Sequence, residues 1–403
     1  MDINLTQPEE EHLAAMMAKI SAEIEKKGGW IPFSRYMEMA LYDPDLGYYC
    51  SGQEKFGAEG DFITAPEITP FFGQTIVNTV LPILENLKKR GLPTRILEYG
   101  AGTGSLAKSI LLELHSRGFD LDEYRIIEIS PDLIQRQKVL LSNVCKEHDL
   151  RTQCVWLDFV PNDIEGVVLA NEVLDAIPCE RICVHNKIWH HLGLAITQGS
   201  EGKKIISALG PALSNAECKN DLSPLLQNSQ AFPEGYITEI HPQAQVWLKT
   251  LSEKLRCGLL LIIDYGFHEQ EYYHAQRSEG TLMAHHHHRA VTDIVALPGI
   301  SDITTHIECS SLLRILEQVS NSEIFFSSQA SYLLHAGIGD LVLQKASPDD
   351  AKQFIPISNA LQKLMSEAEM GELFKVIAFG KDLKALNLSL NELPGLTGRS
   401  RVF

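Results

Sequence analysis

No uninterrupted apolar run in this 403-residue chain approaches the roughly 20 residues needed to cross a bilayer. The longest, Gly258 to Ile263, has the length of a buried strand. Cysteine is sparse: eight residues, at 50, 145, 154, 179, 183, 218, 257 and 309, with no CxxC pair. The nearest two, Cys179 and Cys183, are too isolated for a zinc site. The pattern excludes a disulfide scaffold and reads as eight reduced thiols in a cytosolic compartment. Positive charge is in deficit, 35 Lys and Arg against 52 Asp and Glu, a net of −17. Such a surface repels nucleic-acid phosphates and anionic membranes, so neither is an expected partner. It suits a basic partner, such as an Arg- or Lys-bearing protein segment, although solubility alone is the plainer explanation. The N-terminus, MDINLTQPEEEH, has neither an apolar signal core nor Arg-rich transit character, and the expected location is the cytoplasm. Internal repeats and long low-complexity segments are absent. With 44% hydrophobic and 22% charged residues, the composition is that of a globular protein with ample core.

Thr6 and Glu9 stand at capping-box spacing, with Pro8 in the first turn of a predicted helix. Leu13, Met16, Met17, Ile20 and Ile24 form its apolar face, and Gly28 and Gly29 end it. Residues 31–73 are dense in Gly, Pro and aromatics, too aromatic for a linker, and are expected to pack as a cover. From Thr94 onward strands and helices alternate. Strands are predicted at Arg95–Tyr99, Tyr124–Ile129, Gln153–Leu157 and Gly166–Ala170, with helices at Ser105–Arg117 and Pro131–Cys145. This rhythm specifies an α/β fold with a parallel, doubly wound sheet. It breaks after Asp175. Arg181–Leu194 alternates like a hairpin, and 197–233 is polar without a strong period, as in an insertion. The α/β pattern resumes at Gly258–Asp264, a central-strand run. A helix at Ser311–Ser320 follows, then strands at Glu323–Ser327 and Phe374–Phe379 with a helix near Asn359–Glu367 between them. The expected organisation is a helical and irregular cover over 1–75 and an α/β domain over 76–403, with an inserted subdomain at about 180–250.

Between the first strand and its helix lies Glu98-Tyr99-Gly100-Ala101-Gly102-Thr103-Gly104. Backbone amides at a helix N-terminus face whatever binds such a loop. A dinucleotide loop needs G-x-G-x-x-G, and counting from Gly100 puts Ser105 where the third glycine belongs. Counting from Gly102 gives G-x-G-x-x-A, but two residues into the loop. The other candidate is S-adenosylmethionine, whose pattern is a strand-end acid followed by G-x-G-x-G. Glu98, Gly100, Gly102 and Gly104 match it. This ligand has no phosphate and carries an amino group and a sulfonium, so it tolerates a carboxylate beneath the loop. Glu128 ends the next strand, where an acid accepts hydrogen bonds from ribose hydroxyls; a capping or salt-bridged carboxylate is the alternative. Asp158 follows the third strand, at the place of an adenine contact, and Trp156 either lines the base or packs in the core.

After the fourth strand, Asn171, Glu172 and Asp175 stand at the carboxyl end of a central strand, the edge where open α/β sheets bind ligands. Methyl transfer requires alignment and charge stabilisation more than covalent machinery. Carboxylates there suit a guanidinium, held bidentately; helix capping by Asn171 and Asp175 is the structural alternative. Asp264 ends the fifth strand, Glu239 and His241 lie in the insertion, and Tyr48 and Tyr49 lie in the cover; each is a site candidate or an ordinary cap, turn or core residue. His285–His288 form a run of four, but in a strand alternate side chains face opposite sides and no second ligand cluster stands out, so no metal is expected.

Together these motifs resemble the MidA-like methyltransferases, a family that includes the mitochondrial protein-arginine methyltransferase assisting respiratory complex I assembly. The matching segments include residues 32–49, 60–73, ILEYGAGTGSLA at 96–107, EISPDL at 128–133, NEVLDAIP at 171–178, IIDYGF at 262–267, EGTLMAHHHHRA at 279–290, PGISDITTHI at 298–307 and MGELFKVIAFGK at 370–381. The resemblance implies a class I S-adenosylmethionine-dependent methyltransferase with an N-terminal cover and an insertion between strands four and five. It implies Gly100, Gly102, Gly104, Glu128 and Asp158 as cofactor residues and a protein arginine as acceptor. A noncatalytic cofactor-binding assembly factor and a small-molecule methyltransferase are the alternatives.

Overall fold

Seven strands form the main path of an eight-stranded central sheet in a computed structural model that describes residues 5–51, 64–199, 202–220, 222–287 and 289–397. They are Arg95–Tyr99 (β1), Glu123–Ile127 (β2), Gln153–Trp156 (β3), Ile164–Asn171 (β4), Leu255–Phe267 (β5), Ser322–Ser328 (β6) and Phe374–Lys381 (β7). Their order is β3-β2-β1-β4-β5-β7-β6. β1 to β5 pair in parallel, and β7 runs antiparallel to both β5 and β6. Burial on both faces explains the unbroken apolar run of β5: a strand covered by helices on each side has no solvent face to leave polar. Phe71–Lys89 (α1), Ser105–Ser116 (α2) and Pro131–Glu147 (α3) supply part of that cover. Val167, Leu169, Leu259, Leu261 and Ile263 of the sheet share one core with Ile76, Val80, Leu84, Ile110 and Leu114 of α1 and α2. Each such fully buried chain contributes about 1.5–3 kcal/mol. Ser130 caps α3 as its sequence indicates, its hydroxyl accepting from Leu133 N–H.

The chain divides into two compact units. The sheet unit comprises Ile63–Val173, Trp247–Gly266 and Leu312–Phe403. The other draws on Met1–Phe62, Leu174–Val246 and Phe267–Ser311. Its helix Gln7–Lys26 starts where expected, Glu9 Oε2 accepting from Thr6 N–H at 2.7 Å, and ends with Gly29 N–H on the Ile24 carbonyl. Met16, Ile20 and Ile24 are fully buried, alongside Phe33, Tyr36, Met37 and Ile303. An antiparallel sheet follows the order Trp30–Ile31, Ile188–Gly199, Glu180–His185, Ile237–Ile240. The polar region 197–233, which shows no period in sequence, contains a further strand, Gly202–Ala212, paired along Ile188–Gly199. That strand is largely exposed, so it carries no alternation of apolar residues to read. A smaller three-stranded sheet joins Met283–His286 to Arg289–Val291 and Asp302–Thr304.

Candidate active site

β1 and β4 are neighbours although their connections leave in opposite directions, so their carboxyl ends form the switch point of the sheet. The glycine loop follows β1. Gly100, Gly102 and Gly104 have φ of +58°, +53° and +86°, a left-handed run that strains any L side chain. The three differ in what they face. A Cβ at Gly100 would press on Val173 at 3.3 Å, and one at Gly104 on Leu140 at 3.2 Å. At Gly102 a Cβ would meet no atom within 4 Å. This is where backbone lies open to a close ligand, at the entrance to α2.

Glu98 lies in β1 and is 2% exposed, its Oε2 accepting from the Tyr124 hydroxyl at 2.7 Å. Burial pushes its carboxyl up to about 7, against the Tyr124 hydrogen bond and with the help of the Glu128 charge. Glu128, past the end of β2, accepts through Oε1 from Ile129 N–H at 2.9 Å and Ser130 N–H at 3.1 Å. Its Oε2 accepts from Gln137 Nε2 at 3.1 Å. Burial raises this carboxyl too, opposed by those bonds and by the Gly102 amide. Part of Glu128 therefore serves the turn before α3, and part faces the glycine loop.

Gln137 is the residue that sequence reasoning missed. It is fully buried. Its Nε2 donates to Gly102 O at 2.8 Å and to Glu128, and its Oε1 accepts from Trp156 Nε1 at 2.8 Å. One amide thus joins the loop after β1, the acid after β2 and the tryptophan of β3. A signal was available: Gln137 is the single polar member of a stripe with Leu133, Leu141 and Val144 on α3. Asp158 is exposed just past β3. Beside the two strand-end acids stand apolar chains in water, Ile129 at 57% and Phe159 at 84% exposure. Two carboxylates flanked by two exposed apolar side chains suit a ligand with hydroxyls on one part and a flat heteroaromatic ring on another.

At the end of β4, Glu172 has φ of +52°, a strained conformation for a non-glycine. Its N–H donates to Ile263 O at 2.9 Å, and its Oε1 accepts from Asn171 Nδ2 at 3.1 Å and Ala65 N–H at 3.4 Å. Asp264, in β5, holds the same corner: Oδ2 accepts from Val173 N–H at 3.1 Å and Oδ1 from Tyr265 N–H at 2.9 Å. Asn171 Oδ1 is buried with no hydrogen-bond donor among the described residues. A buried acceptor left so costs about 1–3 kcal/mol, which a ligand donor would relieve. Asn171 and Glu172 are brought together, and no helix follows β4: residues 172–177 are turns, bends and irregular backbone. Asp175 therefore does not share a helical face with Glu172. It belongs to the other unit, where it is 5% exposed and its carbonyl accepts from Thr305 N–H at 3.1 Å.

That unit also holds the remaining candidates. Tyr49 donates to Asp302 Oδ1 at 2.8 Å and Tyr48 is buried. Glu239 is fully buried, its Oε2 accepting from Thr281 N–H at 2.7 Å and its Oε1 lying 3.8 Å from Arg181 Nε. Burial pushes His241 down to about 4, with the neighbouring His306 acting in the same sense. Arg289 is exposed, and His288 lies outside the described residues.

Sheet order, glycine loop and strand-end acids define a class I S-adenosylmethionine-dependent methyltransferase. A family model described as "putative S-adenosyl-L-methionine-dependent methyltransferase" matches residues 75–326, well over half of the chain. The protein belongs to that family, in its MidA-like branch, and S-adenosylmethionine is its cofactor. A Burkholderia thailandensis protein solved with S-adenosylhomocysteine is 40% identical, with a TM-score of 0.85 over 99% of this chain and 97% of that one. A second structure from the same organism, solved in native form, is 39% identical, with a TM-score of 0.84 over 100% and 99%. Among curated relatives, the mitochondrial protein arginine methyltransferase NDUFAF7 homolog of Drosophila melanogaster is 25% identical over 92% of this chain and 86% of its own. The Mus musculus protein arginine methyltransferase NDUFAF7 is 27% identical over 88% and 81%. Among the described residues no helix is long and apolar enough to cross a membrane.

Proposed function

We propose that the protein methylates an arginine of a basic protein segment, in the cytoplasm. The carrying observation is Glu172: a strained carboxylate at the switch point, held by Asn171 Nδ2 and Ala65 N–H beside the glycine loop. A carboxylate fixed there accepts paired N–H bonds from a guanidinium and takes up the positive charge of the acceptor. Names of relatives at 25–27% identity support arginine, and a net charge of −17 favours a basic segment. Eight free thiols fit a reducing compartment.

On this reading Glu98, Gly100, Gly102, Gly104, Glu128 and Asp158 hold the cofactor. When bound, it supplies an electrophilic methyl on a sulfonium. Gly102 lets the chain approach it, Glu128 and Asp158 accept from its polar groups, and Glu98 offsets its positive charge from beneath. Asn171 orients Glu172. The test is Glu172→Gln assayed with radiolabelled S-adenosylmethionine on arginine-bearing proteins from the host. Turnover should fall at least about tenfold while cofactor affinity stays within about threefold, the mark of an interaction made with the acceptor or transition state. A variant that melts lower yet is fully active per folded molecule would reduce Glu172 to a capping residue.

A further inference from the structure

Histidines in a strand alternate between faces, but the strand Met283–His286 ends inside the four-histidine run. His286 pairs with Arg289, and His287 takes φ of +49°. The alternation that separates neighbouring histidines therefore stops at His286, and the His286 and His287 rings lie 4.2 Å apart, tilted by 56°. Both face Glu9, in the first turn of the helix Gln7–Lys26. Glu9 Oε2 is taken by Thr6 N–H and the Thr6 hydroxyl, at 2.7 and 2.6 Å. Its other oxygen, Oε1, lies 3.0 Å from His287 Nε2 and 3.5 Å from His286 Nε2. One nitrogen from each ring and one carboxylate oxygen fall within 4.8 Å of one another.

His286 gives the arrangement its direction. It is 5% exposed, and its Nδ1 lies 2.8 Å from the Ile300 carbonyl. A carbonyl only accepts, so Nδ1 carries the proton and donates it. In its neutral form the ring then presents the Nε2 lone pair towards Glu9. Nε2 is buried with no hydrogen-bond partner among the described residues. Two electron-rich atoms, one nitrogen and one carboxylate oxygen, face each other at 3.5 Å with no hydrogen between them in this tautomer. A cation resolves the conflict. An Nδ1–H bond to a backbone carbonyl is also the outer contact that orients metal-binding imidazoles. Bonds of about 2.0–2.2 Å in a tetrahedron set adjacent donor atoms about 3.3–3.6 Å apart, close to the spacings seen here.

We propose that Glu9, His286 and His287 bind one divalent transition-metal ion of the zinc class, fastening the N-terminal helix to the hairpin at 283–291. Two imidazoles and a carboxylate are the donor set such ions take, with water completing the shell. The ion adds a cross-link between segments far apart in the chain and stabilises the folded form by mass action.

The experiment titrates Zn2+ into chelator-treated full-length protein by calorimetry, with Co2+ absorption reporting coordination. Wild type should bind one Zn2+ per chain with micromolar or tighter affinity, melt higher with the ion, and give a Co2+ spectrum of a four- or five-coordinate site. Glu9→Gln should weaken binding at least about tenfold, as loss of a ligand charge would, and abolish the melting shift. Glutamine at that helix position still closes the capping box, so the fold is preserved. His286→Gln should weaken binding likewise, while His285→Ala should leave it within about twofold, because that side chain stands on the other face of the strand. Zinc binding that ignores Glu9→Gln, or falls equally with His285→Ala, would mean chelation by the histidine run alone and overturn the site. Absence of Zn2+ binding at 100-fold excess would overturn it as well.

Discussion

The Glu128–Gln137–Trp156 frame of the sheet unit and the buried polar groups of the other unit are held in contrasting ways. At the carboxyl edge of the sheet, Gln137 uses both amide hydrogens and its oxygen, and Glu128 is bonded through both oxygens. In the other unit, buried groups keep unbonded atoms: His286 Nε2, His241 Nε2, Thr238 Oγ1 and Arg277 Nε have no hydrogen-bond partner among the described residues. The first pattern is a prewired frame around a ligand that the sheet order already locates. The second leaves polar atoms to be completed by something else. The contrast teaches where each kind of function is legible. A strand, a loop and a helix consecutive in sequence place the proposed cofactor groups by local geometry, whereas Glu9 and His286 of the second unit come from stretches far apart in the chain.

The sharpest way to break the contrast is at Gly102. Gly102→Val adds a branched side chain where no protein atom lies within 4 Å, at φ of +53°. Strain alone costs on the order of 1–2 kcal/mol of stability. If the open space belongs to the cofactor, affinity should fall by about 100-fold or more, beyond what strain explains, as calorimetry with S-adenosylmethionine would register. Unchanged binding would remove the loop from the site. Glu128→Gln comes next. Loss of charge-assisted bonds should weaken binding by roughly 1–3 kcal/mol, with a smaller effect on melting because glutamine still accepts from Ile129 and Ser130.

Gln137→Leu probes the frame itself. Leucine fits the apolar stripe of α3 but strands Trp156 Nε1 and Gly102 O. Affinity should drop about tenfold together with a melting loss of several degrees, whereas a frame that merely packs would lose stability and keep affinity.

Much of this was readable beforehand. The strand sequence, the glycine loop, Glu98, Glu128 and the Asn171-Glu172 pair were all placed by a βαβ rhythm whose periods are local. The rest needed tertiary contacts. Gln137 looks like an ordinary helix glutamine until its stripe is laid against the loop. Asn171 and Asp175 are also good capping residues for a helix after β4, yet Asp264 captures Val173 N–H and turns the chain instead. Glu9 reads as a capping residue, which it is, and nothing near it in sequence points to His286.

The most direct comparison of the units runs through pH. Glu98 titrates at about 7 in the folded protein against an ordinary value of 4.5, chiefly because burial disfavours its charge. The unfolded chain loses that proton first, so folding stability from this group is full below pH 4.5 and declines as pH rises towards 7 and just beyond. His241 has the opposite sign. Burial lowers it from 6.5 to about 4, so the unfolded chain takes up a proton first and stability declines as pH falls from 6.5 towards 4. His306, pushed down to about 4 chiefly by burial, adds to this second trend. Global melting therefore sees partly cancelling slopes, and native-state hydrogen exchange resolved by segment is the better measurement. Between pH 5 and pH 8, protection of β1 should fall while protection of Ile237–Ile240 rises. Glu98→Gln, which keeps the Tyr124 contact without a charge, should flatten the first slope by about 2–3 kcal/mol at most and leave the second untouched. Cofactor binding adds a second reading of the same group. A cationic ligand favours ionised Glu98, so binding near pH 6.5 should release a fraction of a proton, visible as a buffer-dependent enthalpy, and Glu98→Gln should abolish that dependence. If both slopes survive in Glu98→Gln, the carboxylate beneath the glycine loop is not the titrating group, and its role shrinks to holding Tyr124.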